Sequence, residues 1–318
     1  MNELQFIPLI ALSIRAGTAI IFATLGEVFT ERSGIMNLGI EGIMSVSAVS
    51  GFAAAYYSHS AWIGVIFGVV VGGACGYIYA VFCNAFRSQQ TVLGLVFTMF
   101  GVGLANLIGQ CAGPDGSSLV GKVGPQFSIV PIPTLYEIPI IGPIIFTQDV
   151  LVYSMFLLVV LSWYFINRTT PGLHLRAVGE SPRTADSLGI NVERLRYIYT
   201  ILGGMFMGLG GVYITLSYSP GWSDNMIAGR GWIAVALVIF ATWDPIRAFF
   251  GAILFGGVTS MQYYLQSIGF GIPASFLAML PYIATVIVLT FVTAWEGLRK
   301  RVGAPSALGK HYVREDPV

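Results

Sequence analysis

Nine apolar runs divide this sequence, and most are long enough to cross a bilayer, which leaves few folds open to it. A spanning helix needs about 20 mostly apolar residues rising ~1.5 Å each. The runs are Phe6 to Phe29, Ile35 to Tyr57, Trp62 to Phe86, Val92 to Cys111, Val150 to Ile166, Tyr197 to Ser217, Trp232 to Thr242, Ile246 to Gln266 and Phe276 to Ala294. The seventh is too short to cross alone. The expected fold is an all-α polytopic membrane helix bundle containing short or broken segments.

Composition supports lipid as the solvent. Of 318 residues, 55% are hydrophobic and 10% charged, against roughly a quarter charged in a soluble domain. A mean hydropathy of +0.77 leaves too little polar surface to cover a water-soluble core. The net charge of +1 supplies no field for nucleic acid. Cys75, Cys83 and Cys111 lie in or beside apolar runs without metal-ligand spacing, so they read as small packing residues, and no metal site is expected. The start of the chain includes Glu3 and lacks a basic region and a small-residue cleavage site, so the first segment is expected to remain as a span.

Orientation follows from Lys and Arg in the connections. Arg168, Arg176, Arg183, Arg194 and Arg196 share one connection, and Arg299, Lys300, Arg301, Lys310 and Arg314 lie in the tail, so both are expected on the cytoplasmic side. The connection from Ala112 to Gln148 holds one basic residue, Lys122, and is expected outside. Counting back through Arg87 and Arg32 places the N-terminus outside and the C-terminus inside. The division is a transmembrane domain over 1–298, with a cytoplasmic segment at about 168–196 and an external loop at about 112–148, followed by a cytoplasmic tail over 299–318. Six prolines between Pro114 and Pro143 rule out a long regular helix in the external loop. Glycines inside the spans, such as Gly203, Gly204, Gly208, Gly210 and Gly211, favour close helix packing.

Ionisable groups at membrane depth cost roughly 2.5–3.5 kcal/mol each and ask for a reason. Arg15, Glu27 and Glu41 are the candidates. Asn37 and Glu41, four apart, would share a helical face among Gly34, Gly39 and Gly42, a plausible bend near a translocation path. Alternatively, Glu41 pairs with Arg15 or caps a neighbouring helix. Asn106 and Gln110 repeat the spacing in the fourth run, and Gln89, Gln90 and Thr91 make a polar entry to it; they suit path lining or interhelical hydrogen bonds. Trp222, Asp224, Arg230 and Trp232 surround the short seventh run, where a half-span starting near Arg230 would match the broken helices that transporters use. Interfacial anchoring by the two tryptophans is the other reading.

Catalysis in this chain is not expected. Gly116 to Val123, GSSLVGKV, approaches a phosphate-binding loop, but Val123 stands where a magnesium-binding Ser or Thr belongs. His59, His174 and His311 are scattered, and no catalytic constellation joins them. In the polar stretch Pro171 to Arg196, Ser181 could cap a short helix with Pro182 in its first turn, and Gly189 would end it. Its small residues Ala185 and Gly189, set among charges, suit docking into a partner groove.

Four stretches carry a family resemblance. LRAVGESPRTADSLGINVERLR resembles the coupling segment of bacterial ABC importer permeases of the branched-chain amino-acid and simple-sugar superfamily. ERSGIMNLGIEGIM, SQQTVLGL and GRGWIAVALVIFATWDPIRAFFGAILFG are similar to the nucleoside-permease branch. The resemblance implies a plasma-membrane permease with partner ATP-binding subunits that hold ATP and magnesium, a second permease and an extracellular solute-binding protein. It places ATPase coupling on Glu180, Ser181, Pro182, Ala185 and Gly189, and a nucleoside as cargo, with riboflavin or a simple sugar open. Asn37, Glu41, Gln90, Thr91, Asn106 and Arg230 are the path candidates. The competing class is an ion-coupled secondary transporter or channel that works without an ATPase.

Overall fold

A computed structural model describes residues 3–269, 271–287, 290 and 303–313. The end of the ninth run and the tail residues Arg299, Lys300, Arg301 and Arg314 lie outside the described residues. Each of the nine apolar runs forms helix within the described part. In order, α1 (Glu3–Arg32), α2 (Ile40–Ser58), α3 (Ala61–Asn84) and α4 (Gln90–Cys111) precede the proline-rich connection. That connection holds β1 (Ile129–Pro131), α5 (Ile141–Ile145) and β2 (Thr147–Asp149), with β1 antiparallel to β2 and Ile129 opposite Asp149. Then come α6 (Val150–Arg168), α7 (Thr170–Glu180), α8 (Pro182–Ser187), α9 (Val192–Tyr213), α10 (Arg230–Phe240), α11 (Pro245–Ser267) and α12 (Ala274–Leu277). An apolar helical stretch, Ser275–Ile287, covers the described part of the ninth run. Among the described residues, five helices are both long and apolar enough to cross a membrane, and α10, with 11 residues, cannot.

Side-chain chemistry sets the helix starts. Asp149 accepts from the N–H groups of Leu151 and Val152 to cap α6, and Asp244 caps α11 with Pro245 at its first position. Burial then sorts the bundle. The apolar stretches of α1 and α9 are 72% and 67% buried, whereas those of α3, α4 and α6 are 39%, 28% and 33% buried. The former are therefore the core and the latter turn an apolar face outward from the bundle, showing Phe67, Val96, Phe100 and Leu157.

Glycine lets the core close. Gly64, Gly68, Gly72 and Gly76 recur every four residues on α3, with Gly64 against Gly51 of α2 and the other three against Gly204 and Gly208 of α9. A Cβ on Gly208 would stand 2.7 Å from the Gly68 carbonyl oxygen, and one on Gly76 would stand 2.6 Å from that of Thr200. Backbones this close trade dispersion contacts that lipid cannot supply, which is the driving force for helix association in a membrane. Gly17 of α1 meets Ala252 of α11 in the same way, at 2.6 Å.

The second run is not one helix. Ser33 to Gly39 is non-helical, and α2 begins only at Ile40. Asn37 and Glu41 therefore do not share a helical face, contrary to the expectation from their spacing. The apolar Ile35, Met36 and Leu38 disguise a stretch of irregular backbone as part of a span.

Candidate translocation and coupling sites

Irregular backbone inside a membrane survives only if its polar groups are satisfied internally. Around Ser33 to Gly39 the buried polar side chains do this. Glu27 Oε1 accepts from Asn37 N at 2.9 Å, and Gln90 Oε1 accepts from Met36 N at 2.7 Å. Asn37 Oδ1 accepts from Gly39 N at 2.9 Å. The Tyr79 hydroxyl donates to the Met36 carbonyl at 2.8 Å, and Thr98 Oγ1 donates to that of Leu38 at 2.8 Å. Thr91 Oγ1 reaches the Met36 sulfur at 3.9 Å from an exposed position. Of the path candidates, Asn37 and Gln90 are thus buried supports of a bent chain.

Depth follows from packing. A Cβ on Gly101 would lie 2.6 Å from Gly42 Cα, so the start of α2 sits halfway along α4. A second helix begins beside it. Glu41, 7% exposed, accepts through Oε1 from Gly229 N and through Oε2 from Gly231 N, both at 2.7 Å. One carboxylate therefore stands at the N-termini of α2 and α10 together, satisfying donors that α10 leaves open and meeting two positive helix ends. Of the alternatives for Glu41, capping a neighbouring helix is the arrangement present. Arg15 instead lies 4.0 Å from Asp149 and donates to the Ser217 carbonyl at 3.3 Å.

The far end of α10 is also clamped. Trp243 Nε1 donates to Glu31 Oε2, and Arg32 donates to the Trp243 carbonyl at 3.2 and 3.4 Å. The half-span runs from mid-bundle to the end of α1, held at both limits by groups on the first helices.

A chain segment over 219–229 leads back into the bundle to α10. Asn106 Nδ2 donates to Asn225 Oδ1 at 3.2 Å and Asn106 Oδ1 accepts from Asn225 N at 3.1 Å. Gln110 Nε2 donates to Asp224 Oδ2 at 3.1 Å. The four-residue spacing on α4 therefore grips two consecutive residues. Trp222 is buried, its indole against Gly109, so it packs inside the bundle and does not anchor at an interface. Arg230 donates to the carbonyls of Met226 and Ile227 at 3.1 and 2.9 Å and stands 5.6 Å from the Tyr218 ring centroid. It borders two cavities, of about 530 and about 170 Å³, both also lined by Tyr263. Sequence reasoning missed Tyr218, Tyr263 and Glu31, because single residues of common type in apolar runs carry no signal.

At the end of the bundle rich in arginine, Ser181 caps α8 by accepting from Thr184 N at 3.4 Å, and Pro182 opens the helix. Gly189 follows it with φ +84, the left-handed conformation of a helix stop. The surface differs from expectation at Ala185, which is 1% exposed and packs on Val178 and Val192. Arg183, Thr184, Ser187 and Leu188 form the exposed face instead, with Leu188 76% exposed. Glu180 Oε2 accepts from Ser306 Oγ at 2.8 Å.

Residues 303–313 are strapped across this end. Ala307 N donates to the Gly179 carbonyl at 2.9 Å, and Gly309 N donates to that of Gly34 at 3.1 Å. Arg196, 2% exposed, donates to Lys310 O at 3.2 Å and to Ser33 O at 3.3 Å. The strap thus joins the α7–α8 corner to the irregular stretch that enters α2.

Comparison with known proteins agrees with a bundle of this kind. A "Nucleoside ABC transporter permease protein" of Lactococcus lactis is 36% identical over 99% of this chain and 98% of its own. A "Guanosine ABC transporter permease protein" of Bacillus subtilis is 33% identical, covering 93% of each chain. A Haloferax volcanii ABC permease provisionally named for glucose is 35% identical over 95% of this chain and 96% of its own. No solved structure matches. The model of the family described as "Branched-chain amino acid transport system / permease component" matches residues 9–291, and the chain belongs to that family of integral membrane permeases.

Proposed function

We propose that this chain is one permease subunit of an ATP-driven importer that carries nucleosides across a bacterial plasma membrane. The observation that carries this reading is end-to-end similarity, at 33–36% identity, to permeases named for nucleosides and guanosine. The likeness of the Haloferax permease supports a sugar as the second reading of the cargo.

In this reading the ATP-binding subunits, with their ATP and magnesium, dock on the arginine-rich end. The exposed face of α8 receives them, with Glu180, Ser181, Pro182, Ala185 and Gly189 setting its position. That end faces the cytoplasm, the N-terminus lies outside, and the loop over 112–148 faces an extracellular solute-binding protein. A second, different permease completes the pore. ATP binding moves α8, and the strap and the Ser33 to Gly39 stretch carry the movement to α2 and the short α10, opening one side and then the other. Among the path candidates Arg230 faces the cargo, while Asn37, Glu41, Gln90, Thr91 and Asn106 shape the walls. An ion-coupled mechanism through Glu41 is less well supported, because its two oxygens already accept backbone N–H groups.

The test is to purify the tagged chain from its native membrane and identify its companions. An ATP-binding cassette protein and a second permease are the expected companions, with ATP-dependent guanosine uptake once the complex is returned to vesicles. Isolation without any cassette after crosslinking overturns the importer.

A further inference from the structure

Beside the N-terminus of α10, the cavity of about 530 Å³ has walls of two kinds. Tyr218 and Tyr263 supply aromatic surface, and Ser219, Ser223, Asp224 and Asn225 supply hydroxyl, carboxylate and amide groups. Asp224 and Asn225 are exposed, yet Gln110 and Asn106 fix them. Exposed polar groups held in place from behind are what a preorganised binding wall needs. Tyr218 ends a π turn, Ile214–Tyr218, a distortion that recurs where helices serve function. The Arg230 guanidinium holds its ring by a cation–π contact.

We propose that this cavity receives the solute in transit and is built for a nucleoside, with the base against Tyr218 and Tyr263 and the ribose hydroxyls bonded to Asp224 and Asn225. This assignment rests on the nucleoside reading above. An aromatic wall is worth about 1–3 kcal/mol to a stacked base, whereas a simple sugar brings only the C–H face of a saturated ring and no aromatic base to stack there. A carboxylate and an amide side by side accept and donate to neighbouring hydroxyls, as ribose requires. The smaller cavity shares Arg230 and Tyr263 and lies between α10, α11 and the Ser275–Ile287 helix.

The experiment uses the intact complex, purified through the tagged chain and placed in vesicles with its binding protein. Radiolabelled guanosine uptake is measured first. The same complex is then photolabelled with 8-azidoguanosine and the adducts mapped by mass spectrometry. Adducts in the peptides holding residues 218–230 or Tyr263, removed by excess guanosine, are expected. In D224N and Y263A complexes that still carry the cassette, labelling should fall about tenfold, the scale of one lost hydrogen bond or ring contact. Because D224N keeps an acceptor for Gln110, and the wild-type map needs no variant, misfolding cannot decide the result. Guanosine uptake with adducts elsewhere, or with labelling unchanged in both variants, overturns the cavity assignment and leaves the nucleoside reading intact. Absence of guanosine uptake overturns both.

Discussion

Two stretches of irregular backbone enter this bundle, and they are finished in opposite ways. Ser33 to Gly39 is sealed: Glu27, Asn37, Tyr79, Gln90 and Thr98 satisfy it, and Asn37 and Gln90 are 0% and 3% exposed. The stretch over 219–229 is pinned at Asp224 and Asn225 but leaves them facing a cavity. The two meet at Glu41, which lies in the first turn of α2 and caps the short α10. The same device, irregular backbone leading into a helix inside the bundle, thus gives a sealed joint on one side and an open wall on the other. Side chains that answer the backbone make it rigid, and side chains that face space make it a place to bind.

Substitutions should separate the two. The largest effect is expected from E41A, which strands the buried Gly231 N–H at about 1–3 kcal/mol, leaves the half-buried Gly229 N–H without its acceptor, and removes the anion between two helix N-termini. Thermal unfolding in detergent, followed through tryptophan fluorescence, should show a large drop in midpoint or no folded protein at all. E41Q keeps one acceptor and should fall between. A wild-type midpoint for E41A would break the claim that the two stretches share this joint.

Q90A comes next, because it strands the Met36 N–H in the sealed stretch at about 1–3 kcal/mol. N106A removes two hydrogen bonds to Asn225, but water reaches that residue, so a loss of about 1 kcal/mol is expected. Its guanosine uptake should fall by more than its stability, whereas the loss of uptake in Q90A should track its loss of folded protein. If N106A proved the more destabilising of the two, the division into sealed and open stretches would fail.

The sequence made the spans legible because hydropathy is additive along a run, and it made α10 legible because 13 residues separate Arg230 from Asp244 with only apolar or small residues between most of them. A bend near Ser33 to Gly39 was legible from Gly34, Gly39 and Gly42, but its extent was not, since Ile35, Met36 and Leu38 have the polarity of a span and Asn37 was expected on a helical face with Glu41. The partner of Glu41 was out of reach: Gly229 and Gly231 answer it from 188 and 190 residues away through backbone N–H groups that any residue but proline carries. The strap over 303–313 was hidden for the same reason. Its bonds to Gly179 and Gly34 are made between backbone groups, so its charged residues read as an ordinary tail.

The smallest effect should come from G189A. A Cβ at Gly189 would meet nothing within 4 Å, so packing is unchanged, but φ +84 costs an L-residue about 1–2 kcal/mol. That cost falls on the stop of α8, away from both irregular stretches. The unfolding midpoint should therefore move little, because a local change at the C-terminus of α8 can relax by reshaping its last turn. The coupling reading asks more of this position: a reshaped turn moves the exposed Leu188. The ratio of guanosine carried to ATP hydrolysed should fall, and G189N, which tolerates the left-handed conformation, should restore it. A reduced ratio without rescue by Asn would point to the loss of glycine's small size at a docked surface, and an unchanged ratio in both variants would remove Gly189 from the coupling face.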